Sequence, residues 1–263
     1  LIYIPGLLRS EFAMNDSRAF FLMFVLLLLC GVLRAQYPFE KFPAIQYKEF
    51  DDWKEYDRLE KEQKIHFTLT IPDFYTNHDT VTIQLTGFRD EMDTSLIRVF
   101  RNKNLIEKIK EPMFFINTNV RYRPVSVADI NGDSLDDIKL VIPYMGNGIA
   151  SLNVRVIYFF QKTDGSFYKI SFLDKMDGPE RDFNADNNFE IITMTLDQYE
   201  SHSYWTFNIY NFENGTLVNQ NQKYGYPIMI QFLYRDNYEV TNKISAQKMR
   251  SFERALPKEF DIK

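Results

Sequence analysis

Two stretches of this chain, 53 residues apart, follow one plan, and that repeat limits the possible folds more than any other feature. The first opens with Asp129-Ile130-Asn131-Gly132-Asp133-Ser134-Leu135-Asp136-Asp137 and runs straight into the apolar Ile138-Lys139-Leu140-Val141-Ile142. A second apolar run, Asn153 to Phe160, and an Asp164-Gly165 turn follow. The later copy opens with Asp182-Phe183-Asn184-Ala185-Asp186-Asn187-Asn188-Phe189-Glu190, then Ile191 to Met194, Tyr204 to Tyr210 and an Asn214-Gly215 turn. Asp-Gly and Asn-Gly between alternating apolar runs mark tight β-hairpins. Each unit therefore reads as acidic loop, strand, connection, strand, turn, strand, over about 125–175 and 178–220. A unit of this kind leaves one apolar sheet face uncovered, so neighbouring units are expected to stack. The alternation predicts that Val154, Val156 and Tyr158 share a core with Trp205, Phe207 and Ile209, and that Tyr204 and Tyr210 lie on an outer face.

The loops carry oxygen side chains at positions one, three, five and nine: Asp129, Asn131, Asp133 and Asp137 in the first, Asp182, Asn184, Asp186 and Glu190 in the second. Position seven, Leu135 or Asn188, can add a main-chain carbonyl. Calcium takes roughly six to eight oxygen ligands, and a tightly curled loop turns alternate side chains toward one point. These ten residues are the candidate Ca2+ ligands. An EF-hand is ruled out, because its bidentate Glu belongs at position twelve, where Leu140 and Thr193 stand, and its flanks are helices. The first loop, with its Asp-x-Asn-Gly-Asp-x-x-x-Asp-Ile string, resembles the calcium loops of FG-GAP and VCBS-type repeats, as found in integrin-like β-propellers. The resemblance covers Val125 to about Asn219 and implies repeated antiparallel hairpins around bound calcium. At position six, where that family has Gly for a left-handed backbone, this chain has Ser134 and Asn187.

Elsewhere the period is also two. Ile65, Phe67, Leu69 and Ile71 alternate with polar residues, as do Val81, Ile83 and Leu85, and Leu96–Phe100 pairs with Leu105–Ile109 around Asn102-Lys103-Asn104. Aromatic residues make up 16% of the chain, a bias toward pleated, half-buried surfaces. Phe50, Trp53, Tyr56 and Leu59 are spaced for one face of a helix within 51–64, and Ser245 is placed to cap a second helix with Met249, Phe252 and Leu256 inward and Pro257 as its stop. The expected fold is mostly β: antiparallel sheets built from two hairpin repeats, as a partial propeller or a sandwich, with short helices near both ends.

Met14 opens a segment with Arg18, an apolar stretch from Ala19 to Leu33 and the small residue Ala35, the pattern of a secretory signal peptide cleaved before Gln36. Residues 1–35 are thus read as upstream sequence plus leader, and 36–263 as one exported domain, periplasmic or extracellular, with no membrane span after cleavage. The one cysteine, Cys30, leaves with the leader, so no disulfide can hold the domain and calcium is the available staple. A net charge of −5 argues against nucleic acid as a partner and leaves a protein or glycan at the cell envelope.

No His-Glu-x-x-His, Gly-x-Ser-x-Gly or phosphate-cradling glycine string is present, and His66, His78 and His202 are scattered, so no catalytic residue is assigned. Asp174, Asp177 and Glu180 read as a solvated connection; as a carboxylate pair they would instead point to a secreted polysaccharide hydrolase. The leading expectation is a non-catalytic, exported, calcium-binding β protein acting in binding. Its layout is also similar to that of periplasmic bacterial inhibitors of cell-wall hydrolases, which makes an inhibitor or immunity-type protein the more specific alternative.

Overall fold

A computed structural model describes residues 37–56, 64–88, 94–112, 124–143, 148–175, 177–232, 238–240 and 244–263. The chain divides into two compact units, Leu1–Pro38 and Phe39–Lys263. The leader segment Met14–Ala35 lies outside the described residues.

The second unit is a succession of antiparallel meanders. The first sheet contains β2 (Lys54–Tyr56), β3 (Lys64–Ile71), β4 (Val81–Phe88), β5 (Thr94–Arg101) and β6 (Asn104–Pro112) in chain order. The middle sheet is built from β7 (Val125–Ala128), β8 (Asp137–Pro143), β9 (Val154–Gln161) and β10 (Phe167–Asp174). Segments from the two ends of this unit complete its edges: β1 (Lys48–Phe50) beside β7, and β16 (Lys258–Ile262) beside β10. The third sheet contains β11 (Ile191–Tyr199), β12 (His202–Glu213), β14 (Ile228–Phe232) and β15 (Tyr238–Val240), and β13 (Thr216–Asn219) pairs with the last residues of β12. The fold is mostly β and antiparallel, a layout that a run of propeller blades and a layered sandwich share.

The middle sheet is covered on both faces. One face, with Val127, Ile138, Leu140, Ile157 and Phe159, packs on Phe67, Leu69, Ile83, Leu85 and Val99 of the first sheet. The other, with Val156, Tyr158, Phe160, Ile170 and Phe172, packs on Ile191, Tyr210, Phe212 and Leu217 of the third. The rings of Phe160 and Phe212 stack across that interface with centroids 3.7 Å apart. Every residue of β9 is buried. That explains the unbroken apolar run Ile157-Tyr158-Phe159-Phe160, since a strand covered on both faces need not alternate.

The repeat units stack as neighbours, but the face of β12 differs from the expectation. Tyr210 and Phe212 meet the middle sheet, so Trp205, Phe207 and Ile209 point the other way, where Phe39 covers Phe207 and Phe232 covers Trp205. Tyr204 and Tyr210 are buried. Tyr204 sits under Met229 and Ile244, and the Tyr210 hydroxyl donates to the Arg254 carbonyl at 2.8 Å. The sequence pattern shows two alternating faces and does not show that the C-terminal segment folds back over the one with tyrosines.

The hairpin turns at Asn102, Asp164-Gly165 and Asn214-Gly215 form as expected. The helix expected within 51–64 does not form in its described part. Lys54–Tyr56 is an edge strand on β3, with Phe50 and Trp53 packed against the first core; residues 57–63 lie outside the described residues. Pairing and burial outweighed a helical spacing of only four residues. A 3-10 turn, Pro38–Lys41, is the helical element nearest the start of this unit among the described residues. Near the other end, Ser245 caps the helix Ala246–Arg250, its Oγ accepting from Lys248 N at 3.2 Å. Met249 and Phe252 pack inward, whereas Leu256 is exposed.

All these turns and both acidic loops gather at one end of the sheets. Asp79 fastens this end, accepting from Arg101 Nε at 2.7 Å, Asn102 Nδ2 at 2.7 Å and Asn77 Nδ2 at 2.9 Å. The Asn102, Asn77 and Arg101 hydrogen bonds draw its carboxyl down to about 2. A folded-state value below the unfolded one, roughly 3.9, gives stability that is present above that value and is lost as pH falls through the folded value. Urea midpoints measured between about pH 5 and pH 2 should therefore fall less steeply for Asp79→Asn than for the parent protein. Equal slopes would refute the clasp.

Candidate metal loops

The two nine-residue loops share most of their internal wiring; they differ in that the position-one carboxylate accepts from position four in the first and from position three in the second. In the first, Asp129 accepts main-chain N–H bonds from Gly132 (2.8 Å), Asp133 (3.1 Å) and Ser134 (2.8 Å). In the second, Asp182 accepts from Asn184 (3.3 Å), Asp186 (3.2 Å) and Asn187 (3.1 Å). The position-three amide donates to the position-five carboxylate in both: Asn131 to Asp133 at 3.1 Å, Asn184 to Asp186 at 2.6 Å. The position-five carboxylate then accepts the position-seven N–H, from Leu135 and Asn188, at 2.9 Å in each. Position nine reaches back to the position-two N–H: Asp137 to Ile130 at 3.0 Å, Glu190 to Phe183 at 2.8 Å. Curling a chain this tightly needs left-handed residues, and both loops have them at positions four and six. These are Gly132 and Ser134 (φ 75° and 69°), and Ala185 and Asn187 (φ 60° and 64°). The requirement at position six is the one the resemblance to FG-GAP and VCBS-type loops implies; the one at position four was not foreseen.

The loops lie side by side. Phe189 N donates to the Ile130 carbonyl at 2.9 Å. A Cβ on Gly132 would stand 3.0 Å from the Asn187 carbonyl oxygen. Gly132→Ala therefore combines left-handed strain, of about 1–2 kcal/mol, with a push against the second loop. Its urea unfolding midpoint should drop accordingly, and an unchanged midpoint would contradict the loop–loop contact.

The structure brings positions one, three and five of each loop into one hydrogen-bonded turn, and anchors position nine beneath it at the start of the following sheet. Asp137 is fully buried, with Oδ1 accepting from Gln161 N at 2.8 Å. Burial, reinforced by the charges of Asp133 and Asp129, pushes its carboxyl up to about 8. Burial likewise raises Glu190, against the pull of hydrogen bonds from the Tyr224 hydroxyl (2.5 Å) and Phe183 N. Gln161 and Tyr224 are contributors that sequence reasoning missed. Gln161 sits across a strand pair from its loop, and Tyr224 lies beyond the end of the repeat.

Whether these residues suit a cation can be judged from their neighbours. Glu111 and Glu180, buried as deeply, each face a lysine or arginine. Asp137 and Glu190 have no cationic side chain within ion-pair distance among the described residues. Asn188 Oδ1, at position seven of the second loop, is a buried acceptor with no hydrogen-bond partner among the described residues. Uncompensated buried carboxylates and an orphaned oxygen are what a hard dication would satisfy. The donors are not a finished cage: no three His, Cys, Asp or Glu side chains converge on one point among the described residues. Amide and carbonyl oxygens from Asn131, Leu135, Asn184 and Asn188 would have to fill the shell, after the Asn131 and Asn184 amides turn their oxygens inward.

The other candidates are committed elsewhere. His66 Nδ1 pairs with Thr86 Oγ1 at 2.8 Å, His78 with Asp73 at 3.5 Å, and His202 with the Glu200 carbonyl at 2.7 Å. Asp177 is exposed, as expected of a solvated connection, whereas Asp174 and Glu180 are buried. Asp174 accepts from Met194 N at 2.7 Å, and Glu180 is held by Lys139 at 2.8 Å together with the hydroxyls of Tyr158 and Tyr47. Packing explains the difference, because this connection threads between two sheets. Carboxylates so engaged are poorly placed to act as the acid and base of a glycosidase. Among the described residues no helix is long and apolar enough to cross a membrane. No protein-family model matches the chain, and comparisons with curated proteins and with solved structures return no match.

Proposed function

We propose that this is an exported, non-catalytic protein whose acidic loops bind calcium, and that calcium holds the loop end rigid for binding a protein or glycan at the cell envelope. The observation that carries this reading is the shared position-one, -three, -five and -nine hydrogen-bond plan of two adjacent loops, each with a buried position-nine carboxylate that lacks a cationic side-chain partner among the described residues. A hard dication offsets the charge of the loop carboxylates and tolerates mixed carboxylate, amide and carbonyl ligands. Magnesium suits them less, because it demands a near-ideal octahedron and keeps its waters. Calorimetric titration should find two calcium ions per chain, with dissociation constants of about 0.1–1 mM as in extracellular modules. A protein that takes up no calcium under those conditions would end this reading.

A further inference from the structure

The third sheet has a covered face that is polar. On β12, Tyr204, Thr206 and Asn208 point to one side, and their cross-strand neighbours on β11 are Asp197, Thr195 and Thr193. Thr206 and Asn208 are wholly buried. A face kept permanently from water is normally apolar, as on the other side of the same strand, where Trp205, Phe207 and Ile209 stand. The polar side is covered by residues 244–257. Ile244, Met249 and Phe252 pack on Tyr204 and Met229, and Arg254 lies over Asn208.

That cover is lightly held. Within 244–257 only Ile244 and Pro257 are buried, and the one regular element is the short helix Ala246–Arg250. Among the described residues, every hydrogen bond from this segment to the third sheet runs through Arg254. Its N donates to Asn208 Oδ1 at 3.0 Å and its Nη2 to Asp197 at 3.1 Å. Its carbonyl accepts from the Tyr210 hydroxyl and from Asn219 Nδ2, each at 2.8 Å. Closure also has a cost. Thr206 Oγ1, Asn208 Nδ2 and Arg254 Nε are shut away from solvent with no hydrogen-bond partner among the described residues, and lifting the segment would return all three to water. Beyond Pro257 the chain is fixed again: β16 pairs with β10, and Arg155 and Lys169 bond the Glu259 carbonyl and the Asp261 carboxylate.

We infer that residues 244–257 form a strap, latched at Arg254, that opens as a unit while the three sheets stay folded. Few buried apolar contacts and dependence on a few hydrogen bonds are the marks of a segment that opens below the global unfolding free energy. Opening uncovers the hydroxyls of Tyr204, Thr206, Thr193 and Thr195 and the Asn208 amide, a hydrogen-bonding surface that the closed form withholds. The strap does not rest on the calcium reading of the acidic loops.

The test is thiol labelling of the purified protein with iodoacetamide. Cys30 is the one cysteine of the chain, so in a Cys30→Ser background an introduced thiol reports alone. Thr206→Cys places it under the strap. Asn211→Cys places it on the opposite side of the same strand, and Ser95→Cys in the first sheet; all three positions are buried. Without denaturant, Thr206→Cys should react about a hundredfold or more faster than either control. Its rate should also rise less steeply with urea, because lifting a strap exposes less surface than unfolding the domain. If Thr206→Cys does not fold, Thr195→Cys on the same face takes its place. Labelling at the strap position no faster than at both controls, with the same urea slope, would show that 244–257 opens only when the whole domain unfolds. Labelling at Asn211→Cys as fast as at Thr206→Cys would show that the third sheet opens as a whole. Either result overturns the strap.

Discussion

Saturating calcium is expected to raise the thermal unfolding midpoint of the purified protein by roughly 10–20 °C over the same protein in excess EDTA. A ligand at a hundredfold excess over its dissociation constant adds about 2.7 kcal/mol per site, and a domain of this size gains about 2–4 °C per kcal/mol. Two loops then give the range stated. Asp133→Ala should remove the first loop's share and Asp186→Ala the second's, because each deletes a position-five carboxylate while leaving the buried position-nine anchor in place. Alanine at Asp137 or Glu190 is a poorer test, since each also strips the position-two N–H of its acceptor. The loops share the Phe189–Ile130 hydrogen bond and the Gly132 contact, so ordering one favours the other. A single-loop variant should therefore also bind its remaining calcium more weakly than the parent's tighter site. Coincident melting curves in calcium and in EDTA would remove the metal from the account of this fold.

How far the sequence carried this reading depended on the range of the interaction. Strand alternation, the Asp-Gly and Asn-Gly turns, the Ser245 cap and the acidic loops are decided within a few residues, and all four appear in the structure. Which face of β12 meets the middle sheet was not legible, because Trp205-Phe207-Ile209 and Tyr204-Tyr210 both look apolar enough to be core. The choice is made by Phe39 on one side and the Arg254 segment on the other, both far away in sequence. The helical spacing in 51–64 failed for a related reason, since β3 offers Lys54–Tyr56 a sheet edge that local spacing cannot reveal. The partners of Glu180 and Glu111 were equally hidden. Lys139 is 41 residues from Glu180 and Arg155 is 44 from Glu111, and a surface charge looks the same in sequence as a buried one.

Glu111→Ala is the substitution expected to cost the most. Glu111 leaves β6 of the first sheet and enters the face of the middle sheet, where it is almost wholly buried. There it accepts from Arg155 Nε at 3.0 Å and Ser171 Oγ at 3.0 Å and pairs with Lys169. Arg155 and Lys169 are buried too; Arg155 Nη2 also donates to Ser171 Oγ at 2.8 Å, and both reach β16, Arg155 the Glu259 carbonyl at 3.0 Å and Lys169 the Asp261 Oδ2 at 2.5 Å. Removing the carboxylate leaves two buried cations with the half-exposed acids of an edge strand as their counter-charges and the neutral Ser171 hydroxyl beside Arg155. Breaking a buried pair in this way costs about 3–5 kcal/mol, mainly because the surviving charge is uncompensated. At about 2–4 °C per kcal/mol that is a fall of roughly 6–20 °C in the unfolding midpoint, with faster hydrogen exchange over residues 258–262, since β16 hangs on the same two cations. A triple replacement by Glu111→Leu, Arg155→Met and Lys169→Met separates the worth of the charges from the worth of the packing. Well-packed apolar residues in place of a buried ionic cluster are often neutral or stabilising by about 1–4 kcal/mol, so the triple variant should recover most or all of the lost stability. A Glu111→Ala midpoint within about 1 °C of the parent, well under the shift that even 1 kcal/mol produces, would mean that the cluster does not join the first sheet to the middle one in solution.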